Sequence, residues 1–227
     1  MAFDPFDIAR ALAATARNEE ADIETERDLE LRIAMDDEAL EPSLAARAVS
    51  AVAASPERLS ARDTLDLLAA CREIHFCDRS ITDLDEIEAQ ATALRDLGPL
   101  MRTALEAHMP PVLSAGRTQP VHGTQLETRA MYAGYMFWDV SPCPVVCTRE
   151  GMAACLDAME HATRSGHPSV VEGALHGLGH AASCISPGRH GLHKRRVALI
   201  QRANLSIPGF EASLRRYASA ALAGVVQ

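Results

Sequence analysis

Three side chains that can bind a metal ion follow one another at four-residue spacing between Gly166 and His180. They are Glu172, His176 and His180, and Pro168 opens the helix that is expected to carry them. A helix places residues four apart on one face. Two histidines at this spacing can therefore both reach one divalent ion, with the carboxylate one turn earlier as a third ligand. The pattern predicts a zinc or non-haem iron site that needs a fourth group from a neighbouring helix.

The flanking segments offer further candidate ligands. Asp157 and His161 show the same four-residue spacing in the preceding helix, and His190 and His193 follow the histidine segment. A carboxylate and a histidine from each of two helices resemble the ligands of dinuclear carboxylate proteins, which distribute them over four helices. The first half of the chain supplies no matching Glu-x-x-His pair. This departure counts against a dinuclear site.

The glycines of the same segment favour a structural interpretation over a metal site. Gly173, Gly177 and Gly179 all lie in the predicted helix, where each glycine costs about 1 kcal/mol relative to alanine. Three of them imply that another part of the chain comes close to this backbone. The histidines would then be satisfied by hydrogen bonds to facing carboxylates or carbonyls. On this interpretation no cofactor is expected.

Aromatic and cysteine residues form two further groups. The single tryptophan, Trp138, stands next to Asp139 in the main aromatic cluster of the chain, and such a ring is typically an anchor in an alanine-rich core. Cys143 and Cys147 form one C-x3-C pair, with Cys155 eight residues further on. Zinc sites usually combine two such pairs. We therefore interpret the cysteines as core or turn thiols.

The elements that must position these residues are predicted to be helices. Hydrophobic residues make up 48% of the 227 residues, but aromatic residues only 4%, and the abundant alanine and leucine are strong helix formers. Apolar residues recur with the helical period, and no alternating stretch is long enough for a strand. The fold class is predicted to be all-α, a compact array of about ten helices.

Charge is distributed unevenly along the chain. Residues 1–100 contain 23 acidic residues against 10 arginines, whereas the remainder contains 12 basic residues against 8 acidic ones. Such an acidic chain is not expected to bind a nucleic acid backbone. The basic run from Arg189 to Arg196 is interpreted as a solvated loop and helix start. With neither a membrane-length apolar run nor an export signal, the expected location is the cytoplasm, without membrane contact.

Breaker residues suggest how the chain is organised. We expect one all-α domain over residues 1–227, with a subdivision into an acidic helical part, 1–110, and a second helical part, 124–227, separated by a stretch rich in proline and glycine. The predicted helices include Glu19–Met35, Ser60–Cys77 with a capping box at Ser60 and Asp63, Thr82–Leu97 ending at Gly98-Pro99, Pro168–Cys184 and Pro208–Val226.

Four segments of the second half carry a resemblance. They are Tyr135-Met-Phe-Trp-Asp139, Cys155-Leu-Asp-Ala-Met159, Ala174-Leu-His-Gly-Leu-Gly-His180 and Leu214-Arg-Arg-Tyr-Ala218. Residues 125–227 resemble a group of bacterial proteins, without an assigned activity, whose C-terminal half is predicted to form HEAT-like helical pairs. The helices that open at Pro168 and Pro208 fit such pairs, which repeat about every 40 residues. The resemblance implies antiparallel helix pairs, and because the group has no established activity, no catalytic residue is carried over from it.

These observations lead to two functional hypotheses. The first is an interaction or scaffold protein that binds a protein or peptide through a face formed by Glu172, His176, His180, Trp138 and Asp139. The alternative is a metal-dependent enzyme that holds zinc or non-haem iron with Glu172, His176 and His180, assisted by Asp157 and His161. Known loop-borne catalytic motifs are absent from the sequence.

Overall fold

The structure is a computed structural model that describes residues 3–17, 41–72, 74, 76–78, 80–110, 124–135, 137–140, 148–185 and 190–226. Within these ranges the regular elements are helices and no strand occurs, which confirms the all-α prediction. None of the described helices combines the length and the apolar character needed to cross a bilayer. The predicted helix Glu19–Met35 and most of the breaker-rich stretch lie outside the described residues.

Four α-helices come from the first half and six from the second, among the residues described. The first four are α1 (Pro5–Ala16), α2 (Glu41–Ala54), α3 (Ala61–Cys71) and α4 (Leu84–His108), with a 3-10 turn at Pro56–Arg58 between α2 and α3. The other six are α5 (Gln125–Tyr135), α6 (Phe137–Val140), α7 (Arg149–Thr163), α8 (Pro168–Cys184), α9 (His190–Arg202) and α10 (Glu211–Ala223).

Local side-chain caps begin several of these helices. The Ser60 hydroxyl accepts a hydrogen bond from the backbone N–H of Asp63 over 3.1 Å and donates one to its carboxylate over 2.6 Å. Ser60 is therefore the N-cap, as predicted, and the Asp63 carboxylate engages its hydroxyl. The helix that it begins ends at Cys71, earlier than predicted. Cys77 has a φ of 55°, a left-handed conformation that does not continue a right-handed helix.

The Gly98-Pro99 pair does not end a helix, contrary to the prediction. α4 continues through it to His108, although an internal proline removes one helical hydrogen bond. Packing provides the reason, because a Cβ atom on Gly98 would lie 2.8 Å from Cα of Ala158 in α7. The two helices therefore approach closely at this point. That contact favours an uninterrupted α4 despite the two breakers.

Both halves contribute to one cluster of buried apolar side chains, which extends from Phe6 in α1 to Ala221 in α10. α8 lies within this cluster and contacts α4, α5, α6, α7, α9 and α10. In a solenoid each helix pair contacts only its neighbours in sequence. The packing is that of a compact helical array, and solenoid repeats are not shown.

A buried carboxylate connects the first half to α5. Asp66 in α3 is 2% exposed, and its Oδ2 atom lies 2.8 Å from Nη1 of Arg17. Arg129 in α5 pairs with the other oxygen of the same carboxylate. Two guanidinium groups thereby compensate the desolvation of one buried charge.

A buried arginine joins the last three helices. Arg196 in α9 is 1% exposed, in contrast to the solvated run predicted for it. Its guanidinium group donates hydrogen bonds to the carbonyl oxygens of Leu178 (3.0 Å), Ala221 (2.9 Å) and Leu222 (3.2 Å). Two of these carbonyls lie in the last turn of α10, where i+4 partners are missing and the helix dipole favours a cation. The Ala221 carbonyl also accepts a hydrogen bond from the backbone N–H of Gly224. Burial lowers the pKa of this guanidinium.

Replacing Arg196 with methionine keeps a long side chain but removes all its donors. We expect R196M to lower the free energy of unfolding by about 2–4 kcal/mol, because buried carbonyls lose charged partners. Urea unfolding followed by circular dichroism measures the change. The exposed Arg216 provides the control, and R216M should remain within about 0.5 kcal/mol of the wild type. Equal stability of the two variants would contradict the assigned role of Arg196.

Candidate functional site

The candidate site lies on α8, the most enclosed helix of the described structure. α8 has the predicted bounds, Pro168–Cys184, with proline in its first turn. Thirteen of its 17 residues are buried, so this helix has no continuous solvent face. Its polar side chains must consequently find their partners inside the protein.

Two glycines of α8 allow the close approach that the sequence predicts. A Cβ atom on Gly177 would lie 2.6 Å from Cγ of Trp138, and one on Gly179 would lie 2.5 Å from a methyl carbon of Val226. Cβ atoms do not tolerate such distances, so only glycine fits without a shift of the neighbours. Gly177 thus receives the indole of α6, and Gly179 receives the segment that follows α10.

The two histidines of α8 form a polar cluster with Tyr217 of α10. Nε2 of His176 lies 3.1 Å from Nε2 of His180, and the two rings meet edge to face. Nδ1 of His176 lies 2.6 Å from the hydroxyl oxygen of Tyr217. His176 is 1% exposed, whereas His180 and Tyr217 are half-buried. The cluster is therefore anchored in the core and reaches the surface beside α10.

Glu172 lies one turn before His176 and is only 1% exposed. The described residues include no group of three or more His, Cys, Asp or Glu side chains placed to hold one metal ion. Glu172, His176 and His180 therefore do not form the expected three-ligand centre there. They share a helix face, and the two imidazoles are in contact through their Nε2 atoms.

Asp157 and His161 do not join the α8 histidines. The Asp157 carboxylate forms ion pairs with Arg195 of α9 and, over 3.5 Å, with Arg95 of α4. His161 is exposed, and its ring lies beside Gly98 of α4. This pair faces α4 and α9, because four-residue spacing fixes a face of α7 but not the helix that it meets. The five predicted metal ligands are thus divided between two places.

The aromatic part of the predicted binding face lies in the interior. Trp138 is 3% exposed, and its ring packs edge to face against Phe137 with centroids 4.8 Å apart. The side chain of Asp139 lies outside the described part of the chain. With Trp138, Glu172 and His176 all buried, these side chains serve as packing and internal polar groups in this structure.

The cysteines that the structure describes are free thiols. Cys77 and Cys155 are both fully buried, and desolvation, together with the nearby Cys155, raises the pKa of Cys77 to about 12. A thiol with so high a pKa is a poor nucleophile and a poor metal ligand near neutral pH. Cys143 and Cys147 lie outside the described residues.

Hydrogen bonds fix the beginning of α8 to the end of α4. The Ser165 hydroxyl donates to Oε1 of Glu106 over 2.7 Å, and the Ser169 hydroxyl donates to the carbonyl of Pro110 over 2.8 Å. Burial would raise the pKa of Glu106, but hydrogen bonds from Ser165 and Arg102 outweigh it and lower that pKa. These contacts hold the first turn of α8 in place.

Sequence reasoning missed Tyr217 and Arg196 as partners of α8. Tyr217 lies within the closing segment Leu214-Arg-Arg-Tyr-Ala218, which contributed only to a resemblance. Arg196 carried no local signal, because it stands within a run of basic residues of the kind that usually lies in solvent. Arg196 is 18 residues from Leu178 and Tyr217 is 41 residues from His176, beyond the reach of helical periodicity.

Comparisons with family models, with curated proteins and with solved structures give no match for this chain.

Replacing glycine with alanine should have opposite effects on the free energy of unfolding at Gly177 and at Gly191. G177A places a Cβ atom against Trp138, and we expect a loss of about 1–3 kcal/mol in the free energy of unfolding. A Cβ atom on Gly191 in α9 meets nothing within 4 Å, so G191A should stabilise the protein by up to about 1 kcal/mol through helix propensity. Urea unfolding of both variants tests the pair. A stabilising G177A would contradict the close packing of α8.

His167, the residue before α8, provides a pH test. Burial lowers its pKa below the ordinary value of 6.5, and a hydrogen bond to the Met109 backbone and the charge of Glu106 oppose this shift only in part. The unfolded chain therefore takes up a proton first as the pH falls through 6.5, and the stabilising contribution of neutral His167 is lost below that value.

The free energy of unfolding of the wild type should accordingly fall more steeply between about pH 7.5 and 5.5 than that of H167Q, which cannot be protonated. Urea unfolding at several pH values gives both slopes. H193Q, which replaces an exposed histidine in the same way, is the matched control variant. Parallel slopes for wild type and H167Q would show that His167 titrates normally.

Proposed function

We propose that this chain is a cytoplasmic interaction protein whose last helix, α10, binds an acidic protein segment that carries apolar anchor residues. The proposal moves the binding face away from Trp138 and His176, which are buried. Its main support is the exposed face of α10, which combines basic and apolar side chains. Helical arrays commonly use a rigid outer or concave face in this way.

The apolar component lies at the end of α10. Among the described residues, three large apolar side chains are exposed to solvent. They are Leu84, Leu222 and Val225. Leu222 and Val225 lie three residues apart and are 40% and 66% exposed. Neighbouring exposed apolar side chains with a polar rim are typical of a small protein-binding patch.

The basic component lies on the same face of α10. Arg215, Ser219 and Leu222 follow one another at helical spacing and are all exposed. Arg216 is also exposed, and Glu211, the acidic residue of α10, is paired with Arg215 over 2.7 Å. On α9, Lys194 and Arg202 are exposed and form no ion pair with a described residue.

These charges favour an acidic partner. Of the six lysine and arginine residues in the described parts of α9, α10 and the segments that follow them, Arg196 is buried, Arg195 pairs with Asp157 and Glu160, and Arg215 pairs with Glu211. The other three, Lys194, Arg202 and Arg216, are exposed and form no ion pair with a described residue. Complementary charge steers association and selects against basic partners, while the apolar side chains supply the burial that stabilises a complex. The acidic composition of the whole chain disfavours a nucleic acid as the alternative polyanion.

Fluorescence anisotropy with two labelled amphipathic peptides tests the proposal. One peptide combines glutamate with leucine, and the other replaces each glutamate with lysine. We expect the acidic peptide to bind and its affinity to fall when the salt concentration rises from about 0.05 M to about 0.3 M. The double variant R215E/R216E should weaken binding at least about tenfold, and L222S about threefold.

R10E is the matched control, because Arg10 pairs with Asp7 on the exposed face of α1 much as Arg215 pairs with Glu211 on α10. It should bind like the wild type. Tighter binding of a DNA duplex than of the acidic peptide would overturn the assigned partner class. Self-association that R215E/R216E abolishes in light scattering would also overturn it, by making a second copy of the chain the occupant.

A further inference from the structure

We infer that His176 and His180 form a chelating pair for one divalent transition-metal ion such as zinc. The inference starts from the distance of 3.1 Å between their Nε2 atoms. Two nitrogen ligands of a tetrahedral zinc ion, each about 2.0–2.1 Å from the metal, lie about 3.3–3.4 Å apart. The imidazoles are therefore placed within a few tenths of an ångström of the separation that coordination requires.

Tyr217 orients the first of these ligands. Its hydroxyl oxygen lies 2.6 Å from Nδ1 of His176, so the remaining ring nitrogen, Nε2, is directed at His180. Histidines that bind metals usually engage their second nitrogen in such an outer hydrogen bond, which fixes the tautomer and the ring orientation. Tyr217 is thus a positioning residue, and its side chain comes from a different helix than the two ligands.

The cluster also offers a route for the ion. His180 and Tyr217 are half-buried, so an ion can reach the two Nε2 atoms from the side of α10 while water completes its coordination. The described residues supply no third His, Cys, Asp or Glu ligand at this point. We therefore assign a two-imidazole site of micromolar affinity, in contrast to the closed four-ligand sites of structural zinc.

Coordination changes the position of one hydrogen atom. In the metal-free pair, one of the two Nε2 atoms carries the hydrogen that lies between them. Both Nε2 lone pairs can bind an ion only when that hydrogen moves to Nδ1 of its ring or to solvent.

Zinc titration calorimetry on full-length protein without a histidine tag tests the site. We expect about one equivalent to bind with a micromolar dissociation constant. H180A should weaken binding at least about 30-fold, and Y217F about tenfold through loss of the orienting hydrogen bond. H180A is preferred to a substitution of His176, because His180 is only half-buried and its loss is less disruptive to the core.

Three control variants separate this site from other donors. H161A and H193A remove exposed histidines elsewhere, and C184S removes the half-buried thiol one turn after His180. All three should bind zinc like the wild type. R215E/R216E should also do so, because the proposed peptide-binding face uses other side chains of α10. If this double variant loses peptide binding but still binds zinc, the two sites are independent and the zinc site is supported.

Two results would overturn the inference. The first is zinc affinity that is equal in wild type and H180A, both folded by circular dichroism. The second is loss of zinc binding in C184S, which would assign the ion to a thiol. A zinc-induced rise in the unfolding temperature, present in the wild type and absent in H180A, provides an independent readout because an ion that binds the native state stabilises it.

Discussion

The steric constraint at the backbone of α8 determines much of this structure. Trp138 and Val226 occupy the positions where Cβ atoms of Gly177 and Gly179 would lie. Because α8 is approached so closely from two directions, 13 of its 17 residues are buried and its polar side chains are enclosed with it. The glycine-rich composition that weakens the isolated helix is what allows the surrounding helices to close around it.

Arg196 and Tyr217 determine how the last helix meets α8. The guanidinium of Arg196 joins the carbonyl of Leu178 to those at the end of α10, and Tyr217 contacts His176. Together they turn one face of α10 inward, which directs Arg215 and Leu222, two and five residues from Tyr217, outward. The internal cluster and the exposed basic face therefore follow from a single orientation of α10.

Local signals predicted the helices, whereas long-range contacts determined the site. Pro168 and the N-cap Ser60 predicted helix starts correctly, because both act within one turn. The break expected at Gly98-Pro99 was wrong, since packing against Ala158 favours a continuous α4. Four-residue spacing placed His176 and His180 together, but it could not show that Asp157 faces Arg195. The helical period predicts which residues share a face of a helix, but it does not predict which other element that face contacts.

The glycine and histidine patterns of α8 first pointed to competing interpretations, close packing or metal coordination. In the structure, the glycine and the histidine behind these two interpretations point in different directions from the axis of α8. Gly177 is turned by about 100° from His176 and faces Trp138, whereas His176 faces Tyr217. Close packing at Gly177 thus lies next to the imidazole pair, which occupies the adjacent face of α8. The helices packed around α8 shield much of this face from solvent, so the histidines find hydrogen-bond partners inside the protein. The same packing holds their Nε2 atoms 3.1 Å apart. Packing is therefore the physical origin of the geometry that suits a metal ion.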